Sequence, residues 1–340
     1  MDKLKPLTDS HGRNITYLRV SITDRCNLRC VYCMPESGVN LLNHDEIISY
    51  EDILRFVSVL ANHGVNKVRI TGGEPLVRRG VVGFIERLSK IEGISDISMT
   101  TNGVLLDKFV LGLYDAGLKR INISLDSLRE DRFHRITRFG GLQSVFNGIK
   151  LAGKIGYNPI KINTVLIKGI NDDEIESFVN FAREFDLNLR FIEYMPVGGN
   201  ITETIMSKEI EEKIRSIFSD FSLIAGSQNN NDNAYENPVS KDFGFKDSNA
   251  IIGFISPLSE HFCGDCNRLR LTASGSLRLC LFYDNEYNIR EILGERDDEV
   301  VFEKVSDIIQ LKQYKHNFNE KAKKPGFLSW ANNFMNEIGG

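Results

Sequence analysis

Three cysteines fall within eight residues of this 340-residue chain, in Cys26-Asn27-Leu28-Arg29-Cys30-Val31-Tyr32-Cys33. The spacing is C-x3-C-x2-C, and three thiolates so spaced can wrap round one corner of an iron–sulfur cube. A 4Fe–4S cluster ordinarily takes four thiolates, so three leave one iron open to another ligand. A structural zinc site prefers C-x2-C pairs and four ligands. A thioredoxin-like dithiol would use Cys30 and Cys33 and leave Cys26 idle. A disulfide framework suits a small secreted domain rather than a chain of this length.

The other three cysteines form a second triplet, Cys263, Cys266 and Cys280, spaced C-x2-C-x13-C, so none of the six is left over. His261 would complete a Cys3His zinc site, but it lies two residues from Cys263, an awkward bite. The alternative is a second 4Fe–4S cluster whose open iron binds a nitrogen or oxygen of a substrate. Arg268 and Arg270 follow directly. On an extended segment they project to one side, and the planar guanidinium fork suits phosphate. Arg19, Lys67, Arg69 and Lys161 lie on segments with strand character. Any one of them reads as a surface charge; together they read as a polyphosphate site.

The net charge of −4 gives no electrostatic case for nucleic acid or membrane binding. No apolar run approaches a membrane span, and the N-terminus lacks the apolar core of a signal peptide, so a cytoplasmic protein is expected. Hydrophobic periodicity predicts strands over 15–23, 67–71, 94–100, 119–125, 160–167 and 189–194. It predicts helices over 50–63, 80–91, 105–116, 142–155 and 172–185, the last opened by a cap at Asn171-Asp172-Asp173. Such alternation makes an α/β fold with a parallel sheet, and periodicity alone allows either a partial barrel or a doubly wound sheet. A helix follows over 207–218, then a loop or insertion over 226–242, then short strands carrying the second triplet, then a mixed stretch ending in helix. The basic run 312–324 reads as solvated surface. The division expected is an N-terminal segment 1–14, an α/β unit 15–200 and a C-terminal region 201–340. Thr71-Gly72-Gly73-Glu74-Pro75, Thr100-Thr101-Asn102-Gly103, Asn122-Ile123-Ser124-Leu125-Asp126 and Met195 all fall at C-terminal ends of strands, which share one face in a parallel barrel. A lone methionine such as Met195 is more often core.

The C-x3-C-x2-C spacing with Tyr32, followed some 40 residues later by GGEP, resembles the signature of radical S-adenosylmethionine (SAM) enzymes. Both cysteine triplets, Gly12-Arg13, Tyr17-Leu18-Arg19, Arg69 to Leu76, Phe191-Ile192-Glu193 and the terminal Gly339-Gly340 together closely resemble the GTP 3′,8-cyclases of molybdenum cofactor biosynthesis. The resemblance implies an open, partial (β/α)6 TIM-type barrel with a C-terminal extension carrying the second cluster. It implies that Cys26, Cys30 and Cys33 hold a 4Fe–4S cluster that binds SAM, with Tyr32, Gly73, Ser124 and Met195 around SAM. Cys263, Cys266 and Cys280 would hold a second 4Fe–4S cluster facing the guanine of GTP. Arg19, Arg69, Thr100, Lys161, Arg268 and Arg270 would contact GTP, the basic ones mainly through its triphosphate.

The reaction implied is hydrogen removal from the ribose C3′, attack of C3′ on guanine C8, and one electron and one proton to give (8S)-3′,8-cyclo-7,8-dihydroguanosine 5′-triphosphate. An external electron donor and a downstream cyclic pyranopterin monophosphate synthase are the implied partners, with a homodimer left open. The Gly-Gly tail would reach towards the site, although terminal glycines are commonly frayed ends. His11 and Pro196 depart from the family pattern. A radical SAM enzyme of peptide or sulfatase maturation is the second enzyme reading, but those usually have more cysteines in the C-terminal half. A zinc- or cluster-binding interaction protein would leave the GGEP segment and the six α/β units without a purpose.

Overall fold

The computed structural model describes residues 5–195, 204–224, 240–257, 259–260, 263–283 and 285–316. In β1 (Tyr17–Ser21) and β2 (Lys67–Thr71), Leu18, Val20, Val68 and Ile70 alternate with Tyr17, Arg19, Lys67 and Arg69. This period of two gives the sheet an apolar and a polar face. The pattern continues through β3 (Asp96–Thr101), β4 (Arg120–Ser124), β5 (Ile160–Leu166) and β6 (Asn188–Glu193). The apolar face packs in one core with helices α1 (Tyr50–Asn62), α2 (Val81–Leu88), α3 (Leu106–Asp115), α5 (Leu142–Ile155) and α6 (Ile175–Glu184), while α4 (Glu130–Thr137) lies between β4 and α5. Helix α1 shows the logic. Ile53, Phe56, Val57 and Leu60 are buried at helical spacing, Ser49 accepts the Asp52 N–H at 3.0 Å, and Gly64 follows the helix at φ +103°.

The C-terminal part adds α7 (Ser207–Ile217), β7 (Ser222–Leu223), β8 (Lys241–Gly244), β9 (Ile251–Ile255), β10 (Arg268–Leu271), β11 (Ser276–Arg278), β12 (Glu286–Asn288), α8 (Ile289–Ile292) and α9 (Asp298–Ile309). Its strands join the same sheet. The order is β12-β11-β10-β1-β2-β3-β4-β5-β6-β9-β8-β7. Strand β10 runs parallel to β1, and β9 parallel to β6, so the parallel block β1–β6 is extended at both edges by strands from beyond residue 250. Antiparallel β11–β12 and β8–β7 continue it outward.

Several expectations change. Helix α6 starts at Ile175, and Asn171 does not cap it. The Asn171 side chain instead accepts from Ile167 N at 2.7 Å and donates to the carbonyls of Asp126 and Val165 at 2.7 and 2.9 Å, bridging two loops. Helix α4 was not foreseen, because its apolar residues Phe133 and Ile136 are outnumbered by charge. Residues 241 and 242, expected in a loop, pair in β8 with Phe254 and Gly253. Lys312, expected on a solvated surface, is 3% exposed. Residues 226–239, Pro196, His261 and Gly339-Gly340 lie outside the described residues.

The polar face is closed at the N-terminal ends of its strands by an ion triad. Asp96 accepts from Lys67 Nζ at 3.0 Å and from Arg120 Nη1 at 2.6 Å, and all three are largely buried. Removing the shared carboxylate would strand two cations in the interior. Asp96→Ala is expected to lower stability by about 3 kcal/mol, read from its denaturant midpoint; an unchanged midpoint would show that the triad contributes nothing.

Candidate active site

The first cysteine loop leaves the C-terminal end of β1 and is held from three sides. Helix α4 props it: Arg29 N and Val31 N donate to the carbonyls of Thr137 and Ile136 at 3.0 and 2.9 Å, and Arg138 Nη1 donates to the carbonyls of Arg29 and Met34. The Gly-Gly turn after β2 packs against residues 23–25. A Cβ on Gly73 would stand 2.4 Å from the Arg25 carbonyl oxygen, and one on Gly72 would stand 2.6 Å from that of Thr23, so this approach requires glycine. In return Gly73 N and Glu74 N donate to the Thr23 and Arg25 carbonyls at 2.7 and 2.8 Å. Glu74 is buried and accepts from Thr101 Oγ1, Asn102 N and Leu76 N at 2.7, 2.7 and 3.0 Å. Asn102 in turn donates to Asn27 Oδ1 at 2.8 Å and reaches Cys26 Sγ at 3.8 Å, and Leu28 N reaches the same sulfur at 3.4 Å. GGEP and TTNG therefore act as one support for the loop.

Tyr32 donates to Asp126 Oδ2 at 2.5 Å, while Asp126 Oδ1 accepts from Val165 N at 2.8 Å. Asp126, which carries no role in the sequence motif Asn122-Ile123-Ser124-Leu125-Asp126, ties the aromatic of the cysteine loop to the ends of β4 and β5. Ser124 ends β4 opposite Asn163, and Met195 follows β6, half-buried. Burial pushes the Cys26 thiol up to about 11 and raises Cys30 well above the ordinary thiol value, with Cys33, Asp126 and Cys26 adding to the effect on Cys30.

The second triplet sits at the opposite end of the same strands. Cys263 and Cys266 precede β10, and antiparallel β11 brings Cys280 back beside them. Burial opposes ionisation of Cys266, but Lys312 and Arg268 outweigh it and lower the thiol to about 7. Burial raises Cys280. Arg13, which the sequence offered only as part of a motif, donates to the Cys263 carbonyl at 2.7 Å and to the Tyr314 and Gln313 carbonyls at 3.0 and 2.9 Å. His11 packs edge-on to Tyr314, taking an aromatic's place. Arg278 is 2% exposed and shapes the Cys280 loop through Tyr283 O and Glu286, at 2.5 and 2.7 Å. Glu193 holds the start of α7 and residue 259 together through Ser207 N, Ser259 N and Ser259 Oγ.

All six cysteines are free thiols. Among the described residues no three Cys, His, Asp or Glu side chains converge on one point for a single metal ion. Each thiolate of a 4Fe–4S cluster binds its own iron, so the three sulfurs of a triplet need not meet at one point. The donor set, three thiols in each loop with N–H groups or cations against the sulfur, fits thiolate ligation.

Between the triplets lies the polar face. Arg270 is in register with Arg19, Arg19 with Arg69, and Arg69 with Ser98; one step nearer the N-terminal ends, Arg268, Tyr17, Lys67 and Asp96 align. Thr100, Asn122 and Lys161 form a further row on β3, β4 and β5. The six residues expected to contact GTP thus share one face. Lys67 faces the same way, but its ammonium is committed to Asp96. Burial, then mutual repulsion, lowers Arg19 to about 10 and Arg270 well below the usual arginine range. Tyr17 reports the field: burial raises its phenol, yet Arg69, Arg19, Lys67 and Arg268 bring it below the ordinary value. Asn122, 2% exposed between Thr100 and Lys161, has a buried Nδ2 with no hydrogen-bond partner, a donor aimed into this face that sequence reasoning missed.

A parallel α/β sheet with a three-cysteine loop at the end of its first strand defines a radical SAM protein, and the Radical SAM superfamily model matches residues 20–182. The Molybdenum Cofactor Synthesis C model matches residues 187–318. A GTP 3′,8-cyclase of Thermodesulfovibrio yellowstonii is 48% identical over 94% of this chain and 98% of its own length, and one of Petrotoga mobilis is 47% identical over 98% and 100%. The chain belongs to the GTP 3′,8-cyclase family. Among solved structures, Streptococcus suis SuiB bound to S-adenosylmethionine shares the fold, with a TM-score of 0.62 over 94% of this chain and 72% of that one, at 16% identity. Membership of the superfamily implies SAM and a 4Fe–4S cluster. Among the described residues no helix is long and apolar enough to cross a membrane.

Burial pushes the Glu74 carboxyl up to about 7 despite its three donors. A raised carboxyl means that the folded chain holds the proton more tightly. Its contribution to stability is therefore complete below the ordinary glutamate value of 4.5 and is lost as pH rises through about 7. Between those limits the cluster-free protein is expected to lose roughly 3 kcal/mol more than Glu74→Gln. Parallel denaturation curves at pH 4.5 and 7.5 would show that Glu74 does not titrate in this way.

Proposed function

We propose that the polar face of the sheet holds GTP between two 4Fe–4S clusters, the first on Cys26, Cys30 and Cys33 and the second on Cys263, Cys266 and Cys280. The activity is that of the family, 3′,8-cyclisation of GTP to (8S)-3′,8-cyclo-7,8-dihydroguanosine 5′-triphosphate, at the start of molybdenum cofactor biosynthesis. The observation that carries the site assignment is the register Arg270–Arg19–Arg69, a rank of guanidiniums lying between two three-cysteine loops at opposite ends of β1 and β10.

Buried like charges crowd together at a cost unless an anion offsets them. A triphosphate does so, and guanidinium forks suit its oxygens. In this reading Arg19, Arg69, Arg268, Arg270, Lys161 and Thr100 bind GTP, and the guanine meets the second triplet. The ribose is then held between the two loops, its C3′ directed at the first. SAM bound on the first cluster supplies a carbon radical able to take hydrogen from an unactivated C–H bond, which side-chain acids and bases cannot do. Tyr32, Gly73, Ser124 and Met195 surround SAM, with Asp126 fixing Tyr32. The protein's part is to fix distance and orientation.

The fold belongs to the same proposal. The polar face has Arg69, Asn122 and Lys161 buried, while helices α1, α2, α3, α5 and α6 pack on the other face. A sheet curled into an open, partial (β/α)6 barrel accounts for that burial. Residues 15–200 would form this barrel, 1–14 brace it, and 201–340 supply the second cluster and the Gly-Gly tail while sharing its sheet. An external electron donor, a downstream cyclic pyranopterin monophosphate synthase and a cytoplasmic location complete the reading.

The test is SAM cleavage by the anaerobically reconstituted, reduced enzyme: release of 5′-deoxyadenosine is expected to rise strongly with GTP, and indifference to GTP would reject the substrate. Arg270→Ala is expected to weaken GTP binding by about 10–100-fold while SAM binding is retained; equal losses of both would indicate misfolding rather than a lost contact. Cys280→Ser is expected to keep the first cluster and SAM binding but lose cyclisation, and a variant that still cyclises GTP would remove the second cluster from the mechanism.

A further inference from the structure

Lys312 has no task in that reading, yet its placement is demanding. It follows α9, is 3% exposed, and its Nζ donates to the Arg268 carbonyl at 3.1 Å and to the Leu279 carbonyl. Among the described residues no carboxylate forms an ion pair with it. A buried ammonium without a counter-charge destabilises a fold. Arg13, on the Cys263 side of the triplet, shows the contrast. It too donates to a backbone carbonyl of the triplet, but Asp9 neutralises it at 2.6 Å. Only Lys312 of this pair has charge to spare for the sulfurs.

Its position is informative. The β10–β11 hairpin is closed by the rungs Arg270–Arg278 and Leu271–Leu277. The Arg268 and Leu279 carbonyls lie beyond the last rung, where the two strands run out towards Cys266 and Cys280. The ammonium joins those carbonyls across the open end, and its charge reaches both Cys266 and Cys280.

We propose that Lys312 is a positioning residue for the second cluster: it fixes the backbone beside Cys266 and Cys280, and its ammonium supplies the counter-charge to the cluster held there. The proposal rests on the reading that this triplet binds a 4Fe–4S cluster. Reduction adds one negative charge to such a cluster, so a fixed cation beside it favours the reduced state.

The test uses the full chain, reconstituted anaerobically as wild type, Lys312→Met and Lys312→Arg, with iron and sulfide counts and an EPR-monitored redox titration of each cluster. Lys312→Met is expected to move the second cluster to a more negative potential while leaving the first cluster's potential and SAM binding unchanged. Lys312→Arg is expected to keep the wild-type potential. An unchanged second-cluster potential in Lys312→Met overturns the proposal. If Lys312→Met does not take up the second cluster, the arginine variant decides: uptake there supports the role of charge, and failure of both overturns it. A wild-type chain that binds only one cluster's worth of iron and sulfide overturns the two-cluster reading as well, an outcome the counts separate from the others.

Discussion

The pairing of β1 with β2 on one side and β10 on the other is the constraint on which the rest depends. Strand β10 comes from some 250 residues further along the chain, and its parallel register sets Arg270 beside Arg19 as β2 sets Arg69 on the far side. Because the strands are parallel, the loop that leaves β1 and the loop that enters β10 lie at opposite ends. The five residues of β1 separate the two cysteine triplets by roughly 15 Å of strand. A one-residue slip would turn every arginine into the helix layer. The apolar partners Leu18, Val20, Leu269 and Leu271, all buried, hold the register against that.

The face so formed trades stability for an electrostatic field. Burial, and then the neighbouring guanidiniums, lower the pKa of Arg19 and Arg270, and Tyr17 acidifies beside them despite its own burial. Asp96 neutralises Lys67 and Arg120 at the N-terminal ends of the strands, and Arg19, Arg69 and Arg270 line the face between the triplets. Donors fixed before a ligand arrives cost no reorganisation when it binds. The supports around the cysteine loops follow the same economy: Glu74, Asn102 and Asp126 on one side, Arg13, Lys312 and Arg278 on the other, each make at least one hydrogen bond with backbone or with a residue next to a cysteine.

Much of this was legible in the sequence, and for identifiable reasons. Strand alternation in 67–71 and 119–125 is strong because one face is wholly apolar, so the elements and the parallel class followed. The two cysteine triplets and Arg268-x-Arg270 are local patterns, visible without a fold. The joining of β9 and β10 to opposite edges of the sheet is not local, and no residue pattern announces it. Lys312 was misread because a lysine in a basic run carries no mark of burial; only the carbonyls it meets reveal its place. Helix α4 was hidden by charge on its exposed side, and Asn171 looked like a cap because its spacing to a helix is that of one, although its amide is used across the loops instead.

The account stands on the ribose of GTP being presented to the first cysteine loop while its two ends are held elsewhere. GTP deuterated at C3′, supplied with SAM to the reduced two-cluster protein, tests this directly. The account predicts that the 5′-deoxyadenosine released carries the deuterium and that its release slows relative to unlabelled GTP. Deoxyadenosine free of deuterium, formed at the same rate with either GTP, would contradict it.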